Sequence, residues 1–116
     1  MNQYTLIARK NIEKQYDSEC TIYELKPKVI NNITKDVETE VFKNEKCRIY
    51  VNTQTDTEAK KVQKIKLFIA PELEIKPGSL IIVTGRGRTT KYKNSGMPAV
   101  YDTHQEIILE LWKGWA

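Results

Sequence analysis

Apolar residues near the start of the chain fall at Tyr4, Ile7, Ala8, Ile12 and Tyr16, close to the i, i+4, i+8 spacing of one helical face, with Arg9, Lys10, Glu13 and Lys14 elsewhere. This predicts a short amphipathic helix without a strong cap, which needs a surface to pack on. That surface is either its own β domain, which the helix would lid, or a neighbouring subunit, on which it would dock as an arm. After Asp17-Ser18 the period falls to two. Glu19 to Lys26 sets Cys20 and Ile22 against Thr21, Tyr23 and Leu25, and Pro27 is expected to end that strand. Val29 to Thr34, Val37 to Lys43 and Lys46 to Thr53 read as further short strands, with Asn31-Asn32 and Lys35-Asp36 as turns. Asn52 to Lys61 has no apolar residue beyond one alanine and reads as an exposed loop, ordered only by a partner.

The centre of the pattern is Lys66 to Thr84. Two β-branched and aromatic runs, Ile65 to Ile69 and Leu80 to Val83, flank a segment with Pro71, Pro77 and Gly78, which reads as strand, corner, strand. Within the corner, Leu73 and Ile75 alternate with Glu72, Glu74 and Lys76, so one side can lie on apolar surface. Gly85-Arg86-Gly87-Arg88 between two strand-like runs predicts a hairpin. Asn94-Ser95-Gly96-Met97-Pro98 is a break, and His104 to Trp112 alternates as a final strand. Trp112 and Trp115 close the chain with more apolar area than a free tail exposes, so each needs a burial site in this chain or another. The expected fold is mainly β, a small β-barrel of short antiparallel strands with an N-terminal amphipathic helix and long exposed loops. One domain covers 1–116, with a helical arm at 1–17, the barrel at 18–112 and a C-terminal tail at 113–116.

Composition adds little to this and removes several classes. With 116 residues, 40% hydrophobic and 29% charged, the chain suits one soluble core. No apolar run approaches the roughly 18 residues of a membrane helix, and the first residues lack a signal-peptide pattern, so a cytoplasmic protein without membrane contact is expected. Cys20 and Cys47 both fall in strand-like segments, which favours buried reduced thiols. One histidine and no clustered ligands leave no metal site, and no cofactor is expected. Charge is skewed: residues 1–58 hold nine Lys/Arg against ten Asp/Glu, and 59–116 hold ten against five. Such a basic half suits an anionic partner, either nucleic acid or an acidic protein surface.

Candidate chemistry is thin. Gly85-Arg86-Gly87-Arg88-Thr89-Thr90 lacks the glycine that a dinucleotide fingerprint needs at Thr90 and lacks the Gly-Lys-Ser/Thr of a P-loop, so it reads as a hairpin tip. Arg86, Arg88, Lys91 and Lys93, with Tyr92 among them, would suit a single-strand-binding surface, the alternative reading of the chain as an OB-like nucleic-acid-binding module. His104 near Asp102 and Tyr101 has no nucleophile to serve, and a turn-closing hydrogen bond is its expected role. No enzyme activity is expected.

The phrases Lys-Leu-Phe-Ile-Ala-Pro at 66–71, Ile-Lys-Pro-Gly-Ser at 75–79, Asn-Ser-Gly-Met-Pro-Ala-Val-Tyr at 94–101 and His-Gln-Glu-Ile-Ile-Leu-Glu-Leu at 104–111 resemble a family of small phage neck proteins. These are head-tail connectors or head-closure proteins of PBSX-like contractile phages and phage-tail-like bacteriocins. The resemblance covers residues 60–116; the N-terminal half matches only in pattern. It implies a ring of copies, six- or twelvefold, between portal or adaptor and the tail terminator, sheath or tube proteins, or a collar on a headless tail. It implies assembly in the host bacterial cytoplasm, a place in the finished particle and no catalysis. Arg86, Arg88, Lys91, Lys93, Trp112 and Trp115 are the candidate contact residues by exposure and charge. If the Gly85 to Arg88 tip faces the lumen, its arginines meet passing DNA; if it faces a neighbour, they meet acids such as Glu38, Glu40 or Glu45.

Overall fold

The computed structural model of the chain describes residues 2–56 and 60–115. Asn2 starts helix α1 (Gln3–Glu13), its side-chain oxygen accepting from the Thr5 N–H at 2.8 Å. The helix thus has the N-cap that the sequence reading did not find. Strands β1 (Ser18–Ile30), β2 (Ile33–Asp56), β3 (Lys60–Ile69), β4 (Leu80–Gly85), β5 (Arg88–Asn94), β6 (Ala99–Val100) and β7 (Gln105–Leu111) follow. Every pairing is antiparallel. The strand order is β3-β2-β1-β4-β5-β7-β6, and β3 also pairs with β7, which closes the sheet into a ring.

The mainly β reading is borne out, though the ring is not a clean barrel. Its inner face is built by the predicted period of two: Cys20 and Ile22 from β1, Cys47 from β2, Leu67 and Ile69 from β3, Ile81 and Val83 from β4, Ile107 and Leu109 from β7. Each fully buried aliphatic side chain here contributes about 1.5–3 kcal/mol. Cys20 and Cys47 are free and buried, as expected. A hydrogen bond to the Cys47 thiol and burial together push the Cys20 thiol upward, so it stays protonated.

The strands are not uniformly short. β1 has 13 residues and β2 has 24. Asn31 and Asn32, at φ 51° and 63°, form the two-residue turn between them. Pro27 does not end β1, and Lys35-Asp36 is no turn: Pro27 pairs with Asp36 and Lys28 with Lys35 inside an unbroken ladder. In a two-residue hairpin Ile30 and Ile33 are a hydrogen-bonded pair, so alternation makes Pro27 and Asp36 a non-bonded one. The N–H that proline lacks would therefore point away from β2, to the free side, where its loss costs no ladder bond. Likewise Asn52 to Lys61 is not all loop, since β2 continues to Asp56 and β3 begins at Lys60; residues 57–59 lie outside the described residues.

Ala70 to Ser79, the corner between β3 and β4, is the irregular part that the core depends on. Ile75 enters the core, and the backbone oxygens around it are met by buried side chains from other strands. Gln105 Nε2 donates to the carbonyls of Ala70 at 2.8 Å and Leu73 at 2.6 Å. Asn94 Nδ2 donates to Ile75 at 3.3 Å and Lys76 at 3.1 Å, while its Oδ1 accepts from Gly96 N–H at 3.1 Å. Ser79 Oγ donates to the Lys76 carbonyl at 2.6 Å. These three are the buried polar residues of the chain among those described.

Gln105→Leu keeps the volume but leaves the Leu73 carbonyl unpaired and the Ala70 carbonyl with only the Leu73 N–H at 3.5 Å, and is expected to lower stability by about 1–3 kcal/mol in urea unfolding. A change of a few tenths would show that Ile75 and Leu73 hold the corner by packing alone.

Candidate docking surfaces

The β4–β5 hairpin turns through Arg86 and Gly87, both at left-handed φ, 54° and 74°. The hairpin predicted from the glycines is present, but only Gly87 of the two takes positive φ; Arg86 takes the other such position and Gly85 is the last residue of β4. Arg86 donates from Nε to Asp17 Oδ2 at 3.0 Å, and its Nη2 lies 2.7 Å from the same oxygen. This hydrogen bond holds the Asp17 carboxyl below the usual carboxylate range. Arg86 therefore already has an acid in its own chain. Gly85 faces Ser18 so closely that an added Cβ would meet Ser18 Oγ at 2.1 Å.

Below this tip the ring opens into a cavity of about 280 Å³, lined by Ile49, Val83, Arg88, Thr90 and Tyr92 among others. Lys91 and Lys93 stand on the other side of β5, with Lys93 opposite Glu110 of β7. The four predicted cations are thus divided: Arg86 and Arg88 line the mouth, Lys91 and Lys93 the outer wall. Trp112 and Trp115 meet edge to face at 4.7 Å, and Trp115 Nε1 donates to Glu38 Oε1 at 3.2 Å. Both indoles are half-buried within this chain.

His104 is not joined to Asp102. Its Nε2 lies 3.0 Å from Glu106 Oε2 and its Nδ1 2.9 Å from Thr103 Oγ1. Lys66 Nζ reaches the other Glu106 oxygen at 3.3 Å. The ring packs against Phe68 at 5.2 Å and Tyr101 at 5.1 Å, and Tyr50 stacks on Phe68 at 6.3 Å, which makes a row of aromatic rings on the outer wall. Sequence reasoning missed this row because its members are far apart in the chain; only the alternation of Lys66 and Phe68 with Leu67 hinted at it. Among the described residues no group of His, Cys, Asp and Glu could hold a metal ion, and no helix is long and apolar enough to cross a membrane.

Two further surfaces are only partly covered within the chain. β4 pairs with β1 only as far as Tyr23, and β3 with β2 only from Cys47 onward. From Glu24 to Ile30 the β1–β2 hairpin is therefore a two-stranded ribbon, about 23 Å long at about 3.3 Å per residue. The helix α1 has no fully buried residue. Its side bearing Thr5, Arg9 and Ile12 is half-buried, with Arg9 paired to Glu13 and Glu72.

Tyr16, which follows the helix, has a buried hydroxyl with no hydrogen-bond partner among the described residues. Burial, then the Glu13 charge, pushes it up to about 12. Tyr16→Phe removes that unpaired group and is expected to leave the chain as stable or more stable by about 1 kcal/mol in thermal or urea unfolding. A clear loss of stability would mean that the hydroxyl is satisfied. The His104 hydrogen bond, then Lys66, holds the Glu106 carboxyl below its usual range. A carboxyl depressed on folding adds stability that is complete above its unfolded pKa of about 4.3 and is lost as pH falls through the folded value. Glu106→Gln should therefore shrink the loss of stability on acidification below about pH 4.3, read from denaturation midpoints against pH. Parallel acid limbs for the two proteins would overturn the assignment.

No protein-family profile and no curated protein matches the chain. In structure it is similar to the phage-like element PBSX protein xkdH from Bacillus subtilis, with a TM-score of 0.48 and 14% sequence identity over 81% of this chain and 93% of that one.

Proposed function

We propose that the chain is a structural subunit of a phage or phage-tail-like particle, a ring-forming head-tail connector or collar at the neck, and that it is not an enzyme. The phage reading comes from the four sequence phrases of residues 66–111 that resemble neck proteins. One observation supports a building-block role: among the described residues, none pairs with either edge of the β1–β2 ribbon where it leaves the ring. An isolated two-stranded hairpin is marginal in water, so a ribbon of this length suits a chain completed by its neighbours. The half-buried tryptophans and the exposed helix face belong to the same pattern of surfaces that are only partly used within one copy.

The proposed partners are copies of the chain together with portal or adaptor proteins on one side and terminator, sheath or tube proteins on the other. Arg88 at the mouth is the cation placed to meet DNA in a lumen; Arg86 is tied to Asp17 and Lys91 and Lys93 face outward. That division of charge, with a single aromatic on the mouth side of β5, does not favour the OB-like alternative, whose binding face would gather cations and stacking rings together.

Electron microscopy of particles made with and without the chain tests the reading. Density for the chain at the head-tail junction or tail collar is expected, and its deletion should leave unjoined or uncapped tails. Complete particles in its absence would overturn the proposal.

A further inference from the structure

We infer that the exposed side of α1 docks on the acidic face of the β1–β2 ribbon of a second copy of this chain, an inference that deepens the ring reading above and rests on it. The helix has two unlike sides. Thr5, Arg9 and Ile12 lean on their own chain, and Arg9 is tied to Glu72 in the corner. Away from that contact stand Tyr4, 85% exposed, Ile7, 51% exposed, and Ala8, with Lys10 and Lys14 one turn apart along the flank of this apolar stripe. The free side is an apolar lane beside a cationic lane.

The ribbon carries the complement. Leu25, Pro27 and Val29 share one face of β1, directly opposite Glu38, Asp36 and Thr34 of β2, and Glu40 is the next residue of that row. Val29 is 68% exposed. Leu25 and Trp115 line one hollow, so the indole continues the apolar row at the base of the ribbon. This face is therefore an apolar lane beside an anionic lane. The lengths also fit: the 11 residues of α1 span about 16 Å, within the roughly 23 Å of the ribbon.

The same observations disfavour the simpler way of joining two ribbons. Pro27 removes a donor from the free edge of β1. Pairing two β2 edges antiparallel would set the Asp36, Glu38 and Glu40 row against its own copy, and like charges directly opposite are destabilising. The edges resist addition while the face stays open. Because Arg9 holds the helix at Glu72 and both lanes are exposed within one copy, the partner is the next copy. The contact is heterologous, helix of one onto ribbon of the next, and such a contact repeats until it closes a ring or runs on as a filament.

Sedimentation velocity of the full chain, over a range of concentrations at low and high salt, tests the contact. The wild type should associate, and less so as salt rises. Lys10→Glu with Lys14→Glu should make the chain monomeric, and so should Asp36→Lys with Glu40→Lys. Mixing these two variants should restore association, since each helix then meets a ribbon of opposite charge; a mixture that stays monomeric overturns the contact. Wild-type association that survives both reversals overturns the contact and leaves the ring reading standing. A wild type that stays monomeric under all conditions overturns both.

Discussion

The amide groups of Asn94 and Gln105 are what the rest of the chain depends on. Ala70 to Ser79 joins β3 to β4, which stand three strands apart in the ring, without forming a ladder, yet Ile75 within it must be buried to complete the core. Burying backbone carbonyls without partners costs about 1–3 kcal/mol each, enough to reject the corner from the core. Four donations from two side chains remove that cost. Gln105 is the first residue of β7 and Asn94 the last of β5, so the corner is fastened by the strands that close the ring. Closure of the sheet and order in the corner are thus linked through the same two side chains.

The second constraint is β2, which serves two structures. Residues from Glu40 onward pair with ring strands, and Ile33 to Thr39 belong to the ribbon. The change of role takes place over two register shifts against β1, between Cys20 and Tyr23. β2 contributes the extra residue at each shift, and Asn44 sits there at φ 52°, with its N–H donating to Thr21 Oγ1 at 3.3 Å. Bulges of this kind increase twist and bend the strand. They turn the ribbon out of the ring and leave its faces without a partner sheet.

Most of the ring was legible from periodicity, because its inner face is buried and each strand shows the alternation that burial imposes. The corner and the Gly85 to Arg88 hairpin were legible from prolines and glycines. The ribbon was not. Pro27 reads as a stop by local rule, but at a free edge its missing donor is harmless, and register set by the Asn31-Asn32 turn overrode the turn preference of Lys35-Asp36. The polar Asn52 to Lys61 carried no apolar signal, though backbone pairing alone extends β2 and β3 into it. At the surfaces, exposure and charge picked out Arg86, Arg88, Lys91 and Lys93, but not their division between mouth and outer wall. The partners of Arg86 and Arg9 lie 69 and 63 residues away, beyond what local spacing can show. Asn94 was read only as part of a break, since a buried amide that pins a distant corner leaves no periodic trace.

One consequence of the long β2 strand is mechanical. Because β2 is one continuous strand across its two bulges, a pull on the ribbon tip along the strand reaches the ring wall through unbroken backbone. The cross-strand bonds on either side of the bulges then bear that load in shear, many at once, rather than being peeled apart singly. Displacement of the tip is therefore carried to the closure of the core as torque on the bulged segment, which makes the ribbon a lever as well as a surface.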